Sequence, residues 1–119
     1  LEYKKIFGEK IMNNEISKEL EEVVNKIRNK IETKKIIIFG SYAKGKETEN
    51  SDIDLCIITE EKRKRLEIIW DIREAIFEET THSYDIFVYN KIDFESNLNL
   101  TTSIENQINS HGIILYEQN

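Results

Sequence analysis

The stretch Ile36-Ile37-Ile38-Phe39-Gly40-Ser41, continuing through Tyr42-Ala43-Lys44-Gly45 to Ser51-Asp52-Ile53-Asp54-Leu55-Cys56-Ile57-Ile58, decides how the rest of the chain is read. Two apolar runs rich in β-branched residues flank a polar loop, and runs of this length bounded by turn residues predict buried strands. Strand side chains repeat every second residue, so Asp52 and Asp54 share one face of an extended segment. Two like charges held that close repel each other unless a cation sits between them, which makes the pair a candidate metal site. Such pairs also cap turns or stay solvated, and Asp-x-Asp alone does not separate these readings. The context favours the metal. Gly40 lets backbone approach a ligand closely, and Ser41 offers an amide and a hydroxyl to a phosphate oxygen. Ten residues lie between Ser41 and Asp52, enough loop to bring two adjacent strand ends together. Asp85 opens a further apolar run and supplies a third carboxylate. Magnesium takes such hard oxygen ligands, with substrate phosphates and water completing its octahedron.

Outward from this stretch, Ile16, Leu20, Val23, Val24, Ile27 and Ile31 recur at helical spacing and predict an amphipathic helix over 15–32, with residues 1–14 an accessory lead-in. Tyr42 to Lys44 suit a short helical turn, and 45–51 reads as an exposed loop. The second strand is expected over 53–59. Leu66, Ile69, Trp70, Arg73, Ile76 and Phe77 predict a long helix over 60–80, with Trp70 on its core face. The basic run Lys62-Arg63-Lys64-Arg65 opens that helix, as a solvated start or as a contact for a partner or a polyphosphate. A third strand covers 84–89, and a polar linker leads to a helix over 98–110 with Leu100, Ile104 and Ile108 inward. Gly112 is the expected stop, and 113–116 forms a last strand. The order αβ(α)βαβαβ describes a mixed α/β sheet flanked by helices, in a single domain over 1–119.

Composition narrows the function classes. A net charge of −6 argues against an extended nucleic-acid-binding face, which needs clustered Lys and Arg. No apolar run is long enough to cross a bilayer, and the charged N-terminus predicts no leader peptide. The single cysteine, Cys56, lies within an apolar strand, which excludes a disulfide framework and points to a reducing cytoplasm. His82 and His111 are isolated and read as structural or surface residues. Gly40 to Glu47 imitates the phosphate-binding loop G-x-x-x-x-G-K-[ST], but Glu47 replaces the magnesium-binding hydroxyl and the loop leads into a strand rather than a helix. An EF-hand fails as well, because neither its Gly nor its bidentate Glu falls at the required offset from Asp52.

Gly40-Ser41, ten residues, then Asp52-x-Asp54 between hydrophobic residues resembles the signature of the polymerase β-like nucleotidyltransferase superfamily. More narrowly, Phe39-Gly-Ser-Tyr-Ala-Lys-Gly45 with Ser51-Asp-Ile-Asp-Leu55 is similar to the minimal nucleotidyltransferases, and the similarity extends to His111-Gly-Ile-Ile-Leu-Tyr116. The resemblance implies that fold and a two-metal transfer, with Asp52 and Asp54 bridging two magnesium ions and Asp85 completing the catalytic one. An acceptor hydroxyl would attack the α-phosphorus of a nucleoside triphosphate, most often ATP, with Asp85 helping to deprotonate it. Gly40 and Ser41 would hold the outer phosphates. Lys44, where the family has Arg or Lys, would add charge there or stay an exposed loop lysine.

Minimal members are similar to the antitoxin half of toxin–antitoxin pairs, which transfers AMP to a tyrosine on a HEPN-domain ribonuclease. The chain lacks the Arg-x(4–6)-His motif of the HEPN half, since eight residues separate Arg73 from His82. The resemblance therefore implies a magnesium-dependent adenylyltransferase with a HEPN toxin as partner, in a homo- or hetero-oligomer. Two alternatives stay open: transfer to a small molecule such as an aminoglycoside, and a non-catalytic module that neutralises its toxin by contact.

Overall fold

The computed structural model describes residues 14–118. The lead-in expected over 1–14 lies outside these residues but for Asn14. The chain runs as α1 (Asn14–Lys30), β1 (Lys35–Phe39), β2 (Ile53–Thr59), α2 (Arg65–Ile76) with a 3-10 turn at Phe77–Glu79, β3 (Tyr84–Asn90), α3 (Lys91–Ser96), α4 (Ile104–His111) and β4 (Ile113–Glu117). The sheet order is β3-β2-β1-β4. β1 is antiparallel to both β2 and β4, while β2 and β3 are parallel, so the sheet is mixed as expected.

Helices cover both faces of this sheet, which is why its strands read as continuous apolar runs instead of alternating ones. One face, carrying Ile36, Ile38, Leu55, Ile57, Ile86 and Val88, packs against α1 and against Ile68, Ile72 and Ile76 of α2. All six apolar positions picked from the helical period of α1 are buried there. The other face presents Ile37, Cys56 and Ile58 to Phe94 of α3 and Ile108 of α4. Cys56 is fully enclosed, and burial, ahead of the nearby Glu105 charge, pushes its thiol up to about 12, so it packs as a small hydrophobe. A register shift between Ile36 and Ile37 in the β1–β4 pairing lets both Leu115 and Tyr116 enter the core on the α1 side. The guanidinium of Arg28 stacks over the Tyr116 ring at 4.2 Å. Among the described residues no helix is long and apolar enough to cross a membrane.

Several sequence expectations are corrected. The helix expected over 60–80 is confined to α2 and its 3-10 turn, because residues 60–64 are spent in a connecting loop. Arg63 of that loop, inside the basic run, is neutralised by Glu61 at 2.8 Å and Asp71 at 2.7 Å. Trp70 does not pack in the core: it is 71% exposed, with Leu66 and Phe77 exposed beside it. The helix carries two apolar stripes, and Ile68, Ile72 and Ile76 are the ones that face the sheet. The polar linker after β3 contains α3, capped by the Asn90 side chain, which accepts from the Ile92 N–H at 2.9 Å. The helix expected over 98–110 begins only at Ile104, where the Ser103 hydroxyl accepts from Asn106 N–H at 3.0 Å. Leu100 and Ile104 are therefore exposed, and Ile108 alone of the three points inward. Gly112 does end α4, but at φ −77° and not through a left-handed conformation. A side chain there would collide with Ile37 and the Ile108 carbonyl.

Glu19 is a buried carboxylate that the sequence does not single out. It accepts from Tyr84 hydroxyl at 2.8 Å and from the Thr81 hydroxyl and N–H at 2.8 and 3.1 Å, tying α1 to the segment that enters β3. Burial works to raise its pKa, but the hydrogen bonds from Thr81, Tyr84 and His82 outweigh it and hold the group below its ordinary 4.5. A carboxylate with a depressed folded pKa contributes stability above its unfolded value, and that contribution disappears as pH falls through the folded value. Glu19→Ala should therefore destabilise the protein by about 1–3 kcal/mol at pH 7, by stranding the buried Tyr84 hydroxyl. The gap to wild type should close in acid below the ordinary carboxylate range. Urea unfolding at the two pH values checks both halves; equal stability at pH 7 would refute them.

Candidate functional site

The sheet register assembles one end of the molecule from residues far apart in sequence. Phe39, the last residue of β1, pairs with Asp54 near the start of β2, and Asp54 pairs with Asp85 near the start of β3. The Ile53 N–H donates to the Ser83 carbonyl at 2.8 Å, which anchors the two parallel strand beginnings together. Thr48 and Ser51 close a small turn just before β2, with Thr48 N–H donating to the Ser51 hydroxyl at 2.8 Å and Ser51 N–H to the Thr48 carbonyl at 3.1 Å. That turn delivers Asp52 to the same sheet end as Asp54 and Asp85.

The loop leaving β1 is a turn in which Lys44 N–H donates to the Gly40 carbonyl at 3.2 Å and Lys46 N–H to the Ser41 carbonyl at 2.9 Å. The single helical turn expected over Tyr42 to Lys44 is present only as this hydrogen-bonded turn. Tyr42 is buried in the core beneath it and fastens the Gly-Ser turn to the α1 side, a role the sequence reading missed. Gly40 sits at φ +76°, where a side chain is strained, and a Cβ there would overlap the Asp54 carboxylate itself. Only glycine permits the backbone this close to that carboxylate. Ser41 is half-buried beside it, while Lys44 is exposed on the same turn.

Alternation along the strands puts Asp54 and Asp85 on the face shared with Phe39 and Phe87, whose rings meet edge to face at 5.2 Å between centroids. An apolar floor therefore lies under the acids. Burial, then the charge and hydrogen bond of Asp85, then the charge of Asp52, push the Asp54 carboxyl up to about 6. Acids held together on paired strands concentrate negative charge that a cation relieves. Among the described residues no group of three or more His, Cys, Asp and Glu is placed so that it could hold a metal ion, Asp52, Asp54 and Asp85 included. Magnesium asks less of the protein, taking one or two carboxylates and filling its remaining positions with phosphate and water. The paired Asp54 and Asp85 meet that lesser need, with Asp52 near enough for its charge to act on Asp54.

Beside the acids lies an open cleft of about 500 Å³, lined by Asp52, Arg73, Phe77, His82, Ser83 and Asp85 among others. Arg73 is fixed along it by donating to the Tyr84 carbonyl at 3.3 Å. The sequence reading missed this cleft; the signal available for it was Arg73, a cation within an apolar helical stripe. His82 is held by Glu19 at 3.2 Å, consistent with the structural reading made from sequence.

A nucleotidyltransferase domain family model matches residues 17–115 of the chain. A Methanocaldococcus jannaschii protein provisionally named as a protein adenylyltransferase is 51% identical over 49 residues, 40% of this chain and 47% of the relative. The chain spans about half the length of the curated relatives it matches. Among solved structures, a toxin–antitoxin crystallised with AMP-PNP superposes with a TM-score of 0.61 at 20% identity, covering 82% of this chain and 73% of that one. A complex of tri-AMPylated Shewanella oneidensis HEPN toxin with MNT antitoxin gives 0.54 at 15% identity, covering 84% and 71%. At these identities the superpositions establish a common fold.

Proposed function

The chain belongs to the nucleotidyltransferase domain family, and on that premise we propose that it transfers AMP from ATP to a tyrosine hydroxyl of a HEPN-domain toxin and so acts as the antitoxin. The observation that carries the reading is the approach of the Gly40 backbone to the Asp54 carboxylate, with Asp85 paired to Asp54 across the next strand. A phosphate-holding turn and an acidic cluster thereby meet at one sheet end. The relation to proteins named for adenylyl transfer and the shared fold with toxin–antitoxin structures support a protein acceptor.

In this reading the amide and hydroxyl of Ser41, with the Gly40 backbone, hold the outer phosphates, and Lys44 adds positive charge at the loop. Asp52, Asp54 and Asp85 would hold magnesium, whose chemistry is to neutralise charge on the attacking and leaving oxygens. Asp85, exposed at the mouth of the cleft, takes the proton from the acceptor hydroxyl as that oxygen bonds to the α-phosphorus. The bond from the α-phosphorus to the bridging oxygen breaks, and pyrophosphate leaves.

The test incubates the chain with ATP, magnesium and a HEPN-domain protein as candidate partner, and maps modified residues by mass spectrometry. One or more AMP groups on a partner tyrosine are expected, and none when a chelator removes the metal. An untouched partner, with AMP appearing instead on an added aminoglycoside, would overturn the protein-acceptor reading in favour of small-molecule transfer.

A further inference from the structure

Three large apolar side chains are left uncovered along one side of α2 and the 3-10 turn that follows it: Leu66 is 69% exposed, Trp70 71% and Phe77, in the turn, 76%. At 100° per residue they and Arg73 fall within an arc of about 60°, and they extend along roughly 16 Å of helix. Isolated exposed hydrophobes are ordinary, but an aligned group centred on a tryptophan marks an interaction surface. The stripe does not end in solvent. Phe77 and Arg73 also line the cleft that contains Asp52 and Asp85, so the apolar face leads directly into the acidic site.

Continuity with the acidic cleft, and length, identify the occupant. One side of the stripe carries the exposed acids Glu67, Glu74 and Glu78, while exposed Arg73 lies within it and exposed Arg65 borders the other side. A small acceptor is too short to cover the stripe. The complementary surface is an apolar ridge on a protein, with basic residues toward Glu67, Glu74 and Glu78 and acidic ones toward Arg65. We propose that the outer stripe of α2 is where the protein acceptor docks: its apolar ridge seats on Leu66, Trp70 and Phe77, and its acceptor hydroxyl enters the cleft beside Asp85. This inference rests on the adenylyl-transfer reading and names how the acceptor is recognised.

The test measures the affinity of the chain for a HEPN-domain protein as candidate acceptor by calorimetry, alongside AMP transfer. Trp70→Ala and Leu66→Ala should each raise Kd by about 10- to 30-fold and lower transfer at subsaturating partner, with AMP-PNP binding unchanged. Leu100→Ala, which removes an exposed apolar side chain outside α2, should stay within about twofold of wild type in both assays. Asp54→Asn should bind the partner like wild type while transferring nothing. A complex that Trp70→Ala weakens, but in which wild type transfers no AMP, supports the docking surface and overturns the transfer reading alone. Unchanged affinity in both α2 variants, or no complex with wild type, overturns the docking surface.

Discussion

Asp54→Asn should lower the rate of nucleotidyl transfer by about 10³-fold or more, some 4 kcal/mol of lost transition-state stabilisation. The substitution keeps the shape of the side chain and removes the charge that faces Asp85 across the β2–β3 register. The cost falls on chemistry and not on folding. Asp54 is held with its carboxyl pushed up to about 6 by burial and by its acidic neighbours, so the ionised group opposes the fold at neutral pH until a cation arrives. Removing that charge should leave the thermal midpoint of the metal-free protein unchanged or raised, the trade of stability for function common at active sites. Transfer rates with parallel melting curves check this. A variant that melts well below wild type would mean Asp54 serves the fold, and one that retains transfer would remove it from the site.

Gly40→Ala should lower transfer by about 100-fold, because displacing a reacting group by an ångström carries a cost of that order. Two effects combine there. The left-handed backbone costs an alanine about 1–2 kcal/mol, and the added Cβ overlaps the Asp54 carboxylate, forcing either the turn or the acid to move. Gly45 separates these contributions. It lies in the same loop at φ +69°, but a Cβ there meets nothing within 4 Å. Gly45→Ala should show the stability loss without the activity loss. Urea unfolding and transfer rates for both variants settle the matter, and equal activity in the two would refute the claim that Gly40 is needed for its closeness to Asp54.

Most of the frame was legible because the strands are buried on both faces. Unbroken apolar runs, each bounded by turn residues, leave little choice of period, and β2 runs over Ile53–Thr59 as the sequence indicates. The regular stripe of α1 was equally plain. α2 misled because it carries apolar residues on two sides, and the pattern alone does not say which side meets the sheet. Ile68, Ile72 and Ile76 won the core, and Leu66, Trp70 and Phe77 were left outside. α3 went unseen because six residues show no period, although Asn90 is a capping residue in the right place. The candidate site divides in the same way. The Gly-Ser turn and the Asp-x-Asp pair are local, so their spacing could be read directly. Asp85 could be suspected as an acid within an apolar run, but its place beside Asp54 is a matter of strand register. The cleft with Arg73 and Phe77 arises where α2 passes the start of β3, a juxtaposition that no local pattern encodes.

The most direct test of nucleotidyl transfer by this acidic sheet end compares ATP labelled in the α-phosphate with ATP labelled in the γ-phosphate, using magnesium and the proposed HEPN-domain acceptor. Wild type should place the α-label on the partner and leave the γ-label in pyrophosphate, and Asp54→Asn should transfer neither. Label from the γ-phosphate on the partner, or equal α-label transfer by wild type and Asp54→Asn, would contradict the account.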